Sequence, residues 1–361
     1  MLSFQDISLL IIAGGQSSRL GVDKRFVEVG DVGLLETILR KASSVEFAGK
    51  FLCVEEKLSV LQNLALRYGA TLLVDEIKNA GPLSALATGL SAVETTWSLA
   101  VSADMPFFEF ETVAPLSEKF STLQAVLPEV GGRVQPLASF YRRELSDVFK
   151  REVLGGQRKI MSAVKKIPHE LVAVEDSVNF FNVNTVGELK LARGRAANLR
   201  REIPIITVTA PESGTGKTTF IERLTERLTL RGLKVGVIKS DAHNFNLDMS
   251  GKDSYRFQEA GARSVAVVSK SGWFLVNRTT EREKLKTVIK HIEGVDIILI
   301  ETRAHGMFPA VGLWRGLGDK NWREDAVVLF TTEPKEIPEL LQFDLNDMDV
   351  AERICLFLFG R

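Results

Sequence analysis

Two stretches of the 361-residue chain combine glycine with cations in patterns that suit phosphate chemistry. The first, Leu10-Ile11-Ile12-Ala13-Gly14-Gly15-Gln16-Ser17-Ser18-Arg19-Leu20-Gly21-Val22-Asp23-Lys24, passes from an apolar run into a small-residue loop and then to two cations. Gly14 and Gly15 carry no side chain to hold a phosphate away from backbone N–H donors. Arg19 could bind a polyphosphate through paired hydrogen bonds and Lys24 as a point charge. The second stretch, Ser213-Gly214-Thr215-Gly216-Lys217-Thr218-Thr219, lies between an apolar run at 203–209 and the helix-spaced Phe220, Ile221, Leu224 and Leu228. That strand–loop–helix setting is what a P-loop requires. Amides from Gly214 to Lys217 would wrap a β-phosphate, the Lys217 ammonium would bridge β and γ oxygens, and the Thr218 hydroxyl would face Mg²⁺. The motif calls for glycine five residues before Gly216, and Pro211 stands there. Proline lacks an N–H and fixes φ, so a different loop entry and weaker binding are expected. The bland alternatives are a glycine turn with solvated charges for the first stretch and a phosphate-free structural loop for the second.

Carboxylates follow the same logic. Asp104 comes after an apolar run and before Met105-Pro106, a turn that ends a strand and leaves the side chain at its carboxyl end, where Mg²⁺ bridging phosphate oxygens would sit. A turn aspartate also serves as a cap. Asp75 likewise closes an apolar run, and Val295-Asp296-Ile297-Ile298-Leu299-Ile300-Glu301 ends in an acid that could face the metal of a P-loop nucleotide, although many buried strands end in Glu without a ligand. Asn182 and Asn184 bracket a short segment whose amides could bind a second substrate or close a turn. His243 shows no ligand spacing to His169, His291 or His305 and reads as a polar loop residue.

Positioning these groups requires strands that end at a common edge. Apolar runs at 7–12, 51–54, 71–74, 97–101 and 124–127 have strand length, and helix-spaced leucines lie between them (Leu34, Leu35, Ile38, Leu39; more loosely Leu58, Leu61, Leu64, Leu66). The alternation is that of βαβ units and parallel sheets. A second series at 203–209, 234–239, 264–268 and 295–301 reads as a second sheet. Between them, 188–202 is rich in Lys, Arg and Ala, and is either a linker or the last helix of the first domain. Two α/β domains are expected, at 1–195 and 203–361.

Lys and Arg total 46 against 46 Asp and Glu, so no broad positive field exists to gather nucleic acid or an anionic membrane. Cys53 and Cys355, with no CxxC pair, argue against a disulfide framework or cysteine-based zinc. The short apolar run 9–13 follows acidic Asp6 and suits neither export nor a membrane span, so a cytoplasmic location is expected.

The first glycine stretch resembles the LAGGxSxRMGxDK signature of the molybdenum cofactor guanylyltransferase family. Further matches follow in order: Val74-Asp75, Gly81-Pro82-Leu83, Ser102-Ala103-Asp104-Met105-Pro106-Phe107, Arg133-Val134-Gln135-Pro136-Leu137 and Phe181-Asn182-Val183-Asn184-Thr185. Leu20 replaces the usual Met, Ser102-Ala103 a typical Pro-Cys, and Glu55-Glu56 stand where the family commonly has Asn beside the base. The resemblance implies a Rossmann-like nucleotidyltransferase fold that transfers GMP from GTP to molybdopterin or its molybdenum-loaded form. It also implies catalysis by Arg19, Lys24 and Asp104 with Mg²⁺ on Asp104. The nucleotide would contact Ile12, Ala13, Gly14, Gly15, Lys24, Asp75, Gly81 and Asp104, and molybdopterin would contact Gln135, Asn182 and Asn184. Downstream of the P-loop, Lys239-Ser240-Asp241-Ala242-His243 and Gly251-Lys252-Asp253-Ser254 are similar to the adaptor protein of molybdopterin guanine dinucleotide biosynthesis. That likeness implies a P-loop NTPase fold binding GTP, with Thr218 and Glu301 near Mg²⁺, a homodimer through this half, and apo-molybdoenzymes or insertion factors as partners. Glu301-Thr302-Arg303 departs from that family's Glu-Gly-Phe/Tyr-Lys. Two rival readings are a nucleotidyltransferase for another base or acceptor, such as a molybdopterin cytidylyltransferase, and a carrier or scaffold without turnover.

Overall fold

In the computed structural model the described residues are 3–14, 20–240, 253–279, 283–303, 307–316, 326–333 and 339–361. Gly15, Arg19, Asp241, His243, Gly251, Lys252 and His305 lie outside them. The chain divides into two compact units, one covering Met1–Ala196 together with a short stretch ending at Leu341, the other the remainder.

The first unit begins with β1 (Ile7–Ile12), every residue of which is buried, and the hairpin β2 (Glu28–Val29) and β3 (Val32–Gly33). There follow α1 (Leu34–Ser43), β4 (Gly49–Val54), α2 (Ser59–Arg67), β5 (Thr71–Val74), α3 (Pro82–Ala92) and β6 (Trp97–Ser102). Next come β7 (Ala125–Val130), β8 (Arg133–Val134), β9 (Ala138–Arg142), α4 (Leu145–Leu154), α5 (Ile160–Val164), β10 (His169–Ala173) and α6 (Val186–Leu199). The sheet order is β10-β7-β9-β6-β1-β4-β5, with β8 paired to β7. A run buried on both faces is the mark of a strand covered by helices on each side, and two clusters, one on each face, bear this out: Leu9, Ile11 and Leu52 belong to one, Leu10, Ile12 and Cys53 to the other.

The expected parallel arrangement holds for β6, β1, β4 and β5, but β9 runs antiparallel between β6 and β7. Its reversal follows the β7–β8 hairpin, where Gly131 and Gly132 both take positive φ (54° and 75°), as a two-residue primed turn demands.

The segment 188–202 is helical to Leu199 in α6. Leu189, Ala192 and Ala196 pack with Val29, Leu34 and Val183 in the first unit. Apolar residues three and four apart are what a helix face needs, so this stretch folds where its cationic composition had suggested a linker as the equal alternative.

The second unit contains β11 (Ile205–Thr209), α7 (Lys217–Leu230), β12 (Val235–Lys239), α8 (Asp253–Glu259), β13 (Ser264–Val268), β14 (Trp273–Asn277) and α9 (Leu285–Ile289). It continues with β15 (Ile297–Glu301), β16 (Ala310–Trp314), β17 (Val328–Thr331), β18 (Gln342–Asp344) and α10 (Met348–Phe359). Six parallel strands run β12-β15-β11-β16-β17-β18. The segment 264–268 departs from expectation: β13 pairs antiparallel with β14 in a separate two-stranded sheet. Its alternate exposed residues, Ser264, Ala266 and Val268, fit a ribbon rather than a covered central strand. Helix α10 is tied to α7 by Glu352, a buried carboxylate that accepts from both Arg227 and Arg231. Cys53 and Cys355 are both buried thiols. Among the described residues no helix is long and apolar enough to cross a membrane.

Candidate functional site

In the first unit, chain order places β4 and β5 on one side of β1 and β6 on the other. Ligands of open α/β sheets bind at such a switch point, beyond the carboxyl ends of the strands. The residues that follow these strands are Ala13-Gly14, Glu55, Asp75 and Ala103-Asp104. Ile12 and Ala13 are buried, and the Ala13 amide donates to the Cys53 carbonyl at 2.9 Å. A β-carbon on Gly14 would lie 3.5 Å from Glu55 Cγ and 3.9 Å from Asp75 Oδ2, so two carboxylates flank the glycine.

Asp104 is buried, at 6 % exposure. Its Oδ2 accepts from Lys24 Nζ at 2.7 Å, and its backbone carbonyl accepts from the Val183 amide at 2.9 Å. Lys24 Nζ also donates to Asn184 Oδ1 at 3.3 Å. Each partner is held in turn. Asp23 caps the short 3₁₀ turn Lys24–Phe26, while Asn184 donates its amide to Glu188 Oε2, the same oxygen that receives the Thr185 amide. The Glu188 amide donates back to Thr185 Oγ1, which makes a reciprocal cap at the start of α6.

The other named residues are held by contacts of their own. Gly81, at φ 73°, precedes Pro82 at the first turn of α3. Asn182 Nδ2 donates to the Phe180 carbonyl at 2.9 Å, a local turn. The Gln135 backbone N–H donates to the Pro128 carbonyl at 2.9 Å, and the Ser102 backbone N–H donates to the Leu137 carbonyl, which brings this segment to the carboxyl end of β6.

Two buried oxygens at this site, Asp75 Oδ1 and Asp104 Oδ1, have no hydrogen-bond partner among the described residues. Burial foremost, and then the Glu55 charge, push the Asp75 carboxyl up from 3.8 to about 7. Between those values the folded chain keeps a proton that the unfolded chain has released. The contribution of Asp75 to stability therefore falls as pH rises from about 4 to about 7 and is flat above. Asp75→Asn is expected to raise Tm relative to wild type at pH 8, with the gap closing toward pH 4. Thermal melts of both proteins across that range check this; a gap independent of pH would remove Asp75 as its source.

In the second unit, β11 leads into a loop in which Gly214 and Gly216 take positive φ (76° and 103°). Thr215 Oγ1 and Lys217 Nζ both donate to the Glu212 carbonyl, at 2.8 Å and 3.2 Å, so the lysine folds back over the loop even with Pro211 at its entry. Thr218 Oγ1 lies 3.1 Å and 3.0 Å from the two oxygens of Glu301, which closes β15, and Lys239 Nζ lies 3.6 Å from Glu301 Oε1. Ser213 and Thr219 complete the loop and first turn, both exposed.

Sequence reasoning noted Arg303 only as a departure and missed Arg315. Arg303 donates to Ser213 Oγ, and a terminal nitrogen of Arg315 lies 3.3 Å from where a β-carbon on Gly216 would stand. Neither has a spacing signal, since each simply follows a strand. Among the described residues, no three or more His, Cys, Asp or Glu side chains gather as a metal site. Mg²⁺ commonly takes one or two carboxylates plus substrate phosphates, and the donors present here, Asp104 in one unit and Thr218 with Glu301 in the other, are of that kind.

Residues 9–170 match the family described as MobA-like NTP transferase domain, and residues 205–332 match molybdopterin guanine dinucleotide synthesis protein B, MobB. A probable molybdenum cofactor guanylyltransferase of Natronomonas pharaonis is 29% identical over 195 residues, covering 52% of this chain and 96% of that one. A molybdopterin-guanine dinucleotide biosynthesis adapter protein of Haemophilus influenzae is 33% identical over 153 residues, covering 41% of this chain and 85% of its own. The Escherichia coli adapter is 35% identical over 117 residues, 31% of this chain and 66% of that one. The chain is thus a fusion of a MobA-like NTP transferase domain in its first unit with a second unit through which it belongs to the MobB family of molybdopterin-guanine dinucleotide biosynthesis adapter proteins.

Proposed function

We propose that the first unit transfers GMP from GTP to the terminal phosphate of molybdopterin, or of its molybdenum-loaded form, and releases pyrophosphate. The observation that carries this is the buried Asp104, which holds Lys24 at 2.7 Å at the carboxyl edge of the sheet and whose second oxygen has no hydrogen-bond partner among the described residues. An acceptor phosphate oxygen, already ionised at neutral pH, attacks the α-phosphorus in line. The bond from that phosphorus to the bridging oxygen breaks, and pyrophosphate leaves with the oxygen. Lys24, anchored by Asp104 and Asn184, offsets charge on the transferring and leaving oxygens, and Gly14 admits the nucleotide close to the backbone. Mg²⁺, which Asp104 fits here, would supply further charge neutralisation when bound. Arg19 and Gly15 belong to the same proposed machinery, Asp75 and Gly81 to the nucleotide side, and Gln135, Asn182 and Asn184 to the molybdopterin side.

The second unit is proposed to bind GTP at the P-loop, with Mg²⁺ at Thr218 and Glu301, and to pass the cofactor to apo-molybdoenzymes or insertion factors in the cytoplasm. Val268, Trp273, Phe274 and Leu275 are exposed on the β13–β14 ribbon and form the candidate surface for a homodimer. Mass spectrometry of products from the full chain given GTP, Mg²⁺ and molybdopterin is expected to show the guanine dinucleotide and pyrophosphate. Equal turnover of CTP would overturn the base assignment, and absence of any dinucleotide would favour a carrier.

A further inference from the structure

The P-loop reading accounts for Lys217, Thr218 and Glu301 and leaves Arg315 without a role. Arg315 directly follows β16, which pairs with β11 on the side opposite β15. The last β11–β16 pair is Thr209 with Gly312, so Arg315 stands beyond the end of β11, level with the loop. Its guanidinium rests on Gly216: a β-carbon there would meet the terminal nitrogen at 3.3 Å and Cζ at 4.0 Å. Gly216 has φ 103°, and any larger residue would be strained there as well as crowded against the arginine. The side chain is nevertheless exposed and open to a ligand.

The two flanks of the loop are chemically unequal. Thr218 and Glu301 meet on the β15 side at 3.0 Å, and that pair would hold a Mg²⁺ that offsets charge on the terminal phosphates. A nucleotide whose terminal phosphates face that pair, and whose phosphate chain crosses the loop, would carry its α-phosphate toward β16. We propose that Arg315 binds the α-phosphate of the P-loop nucleotide and so sets the position of its nucleoside end. The inference rests on the GTP-binding reading of this loop and adds a contact that the motif does not supply. A guanidinium suits the task, since its paired N–H donors match two phosphate oxygens.

Replacing one α-phosphate oxygen by sulfur tests this contact. In the full chain, P-loop binding is the component of Mg²⁺-dependent GTP binding that disappears in Lys217→Ala. For that component, wild type is expected to bind one diastereomer of GTPαS at least about fivefold more weakly than GTP. Arg315→Ala is expected to weaken GTP about tenfold or more and to bring the GTPαS-to-GTP ratio close to one, with the GTPγS-to-GTP ratio unchanged. Arg315→Lys should recover part of the affinity, because it keeps the charge. General damage to the loop would weaken every nucleotide alike and leave the αS ratio as in wild type, and that result overturns the proposal. So does a wild type indifferent to sulfur at the α-phosphate. If Lys217→Ala removes no binding component, the P-loop reading itself fails, an outcome separable from a failure of Arg315 alone.

Discussion

Asp104→Ala is expected to lower pyrophosphate release from GTP and molybdopterin by about a hundredfold to a thousandfold, the range lost when one preorganised charge-stabilising group is removed from an active site. The size follows from the geometry. One oxygen of this buried carboxylate anchors Lys24 and the other has no hydrogen-bond partner among the described residues, so a single substitution removes both the anchor of the cation and the acidic donor proposed for Mg²⁺. Among the described residues Lys24 would keep the 3.3 Å contact to Asn184, which carries no charge. Asp104→Asn separates the two roles. It is nearly isosteric and keeps an oxygen to accept from Lys24, so it preserves the position of the lysine while losing the negative charge. If positioning dominates, Asn recovers most of the activity; if charge dominates, Asn is nearly as damaged as Ala. Steady-state pyrophosphate release at saturating GTP, with circular dichroism to establish folding, distinguishes these. An Asp104→Ala protein retaining more than about a tenth of the wild-type rate would remove this carboxylate from the mechanism.

The Lys24–Asp104 contact shows what was legible in the sequence. The two residues are 80 apart in the chain, yet each was assigned to the loop after a buried strand, and adjacent parallel strands bring such loops to one edge. Burial pattern and strand-end position were enough. The same reasoning located Glu301 opposite Thr218, because both motifs refer to a single metal position. Asn184 was named without a partner, since nothing local in Phe181-Asn182-Val183-Asn184-Thr185 signals that the Thr185–Glu188 cap would aim it at Lys24.

The antiparallel β9 was missed although its cause stood in the sequence: Gly131-Gly132 between apolar runs is a hairpin signal. The ribbon strand β13 was misplaced because a short Val-rich run reads alike whether it is covered on both faces or on one. Arg315 is a different case. A solitary arginine after a strand has no periodicity and no spacing, and its relation to Gly216 exists only once β16 is known to flank β11. Glu55 falls between these cases. It appeared first as a departure from a familiar pattern, and the fold then placed it beside Gly14 and near enough to Asp75 to help raise that carboxyl.

Lys217→Ala should weaken nucleotide binding at the second unit enough that, at GTP concentrations just saturating wild type, GTP bound per chain falls from two equivalents toward one. Lys217 is 7 % exposed, and its ammonium lies 3.2 Å from the Glu212 carbonyl, so the charge is already positioned and partly desolvated before any nucleotide arrives. Truncating one member of a buried hydrogen-bonded charge pair costs about 2–5 kcal/mol. At about 1.4 kcal/mol per factor of ten, that corresponds to roughly 30-fold to several-thousandfold in Kd. Pro211 sets the contrast. Thr215 and Lys217 close on Glu212, and both glycines reach positive φ with proline at the loop entry. The loop thus already has its shape, and Pro211→Gly should change GTP affinity by less than about threefold, since glycine would add one amide but also return conformational freedom to the unliganded loop. A large gain from Pro211→Gly would mean that the missing N–H limits binding. Unchanged stoichiometry in Lys217→Ala would remove the lysine, and with it the P-loop, from nucleotide binding.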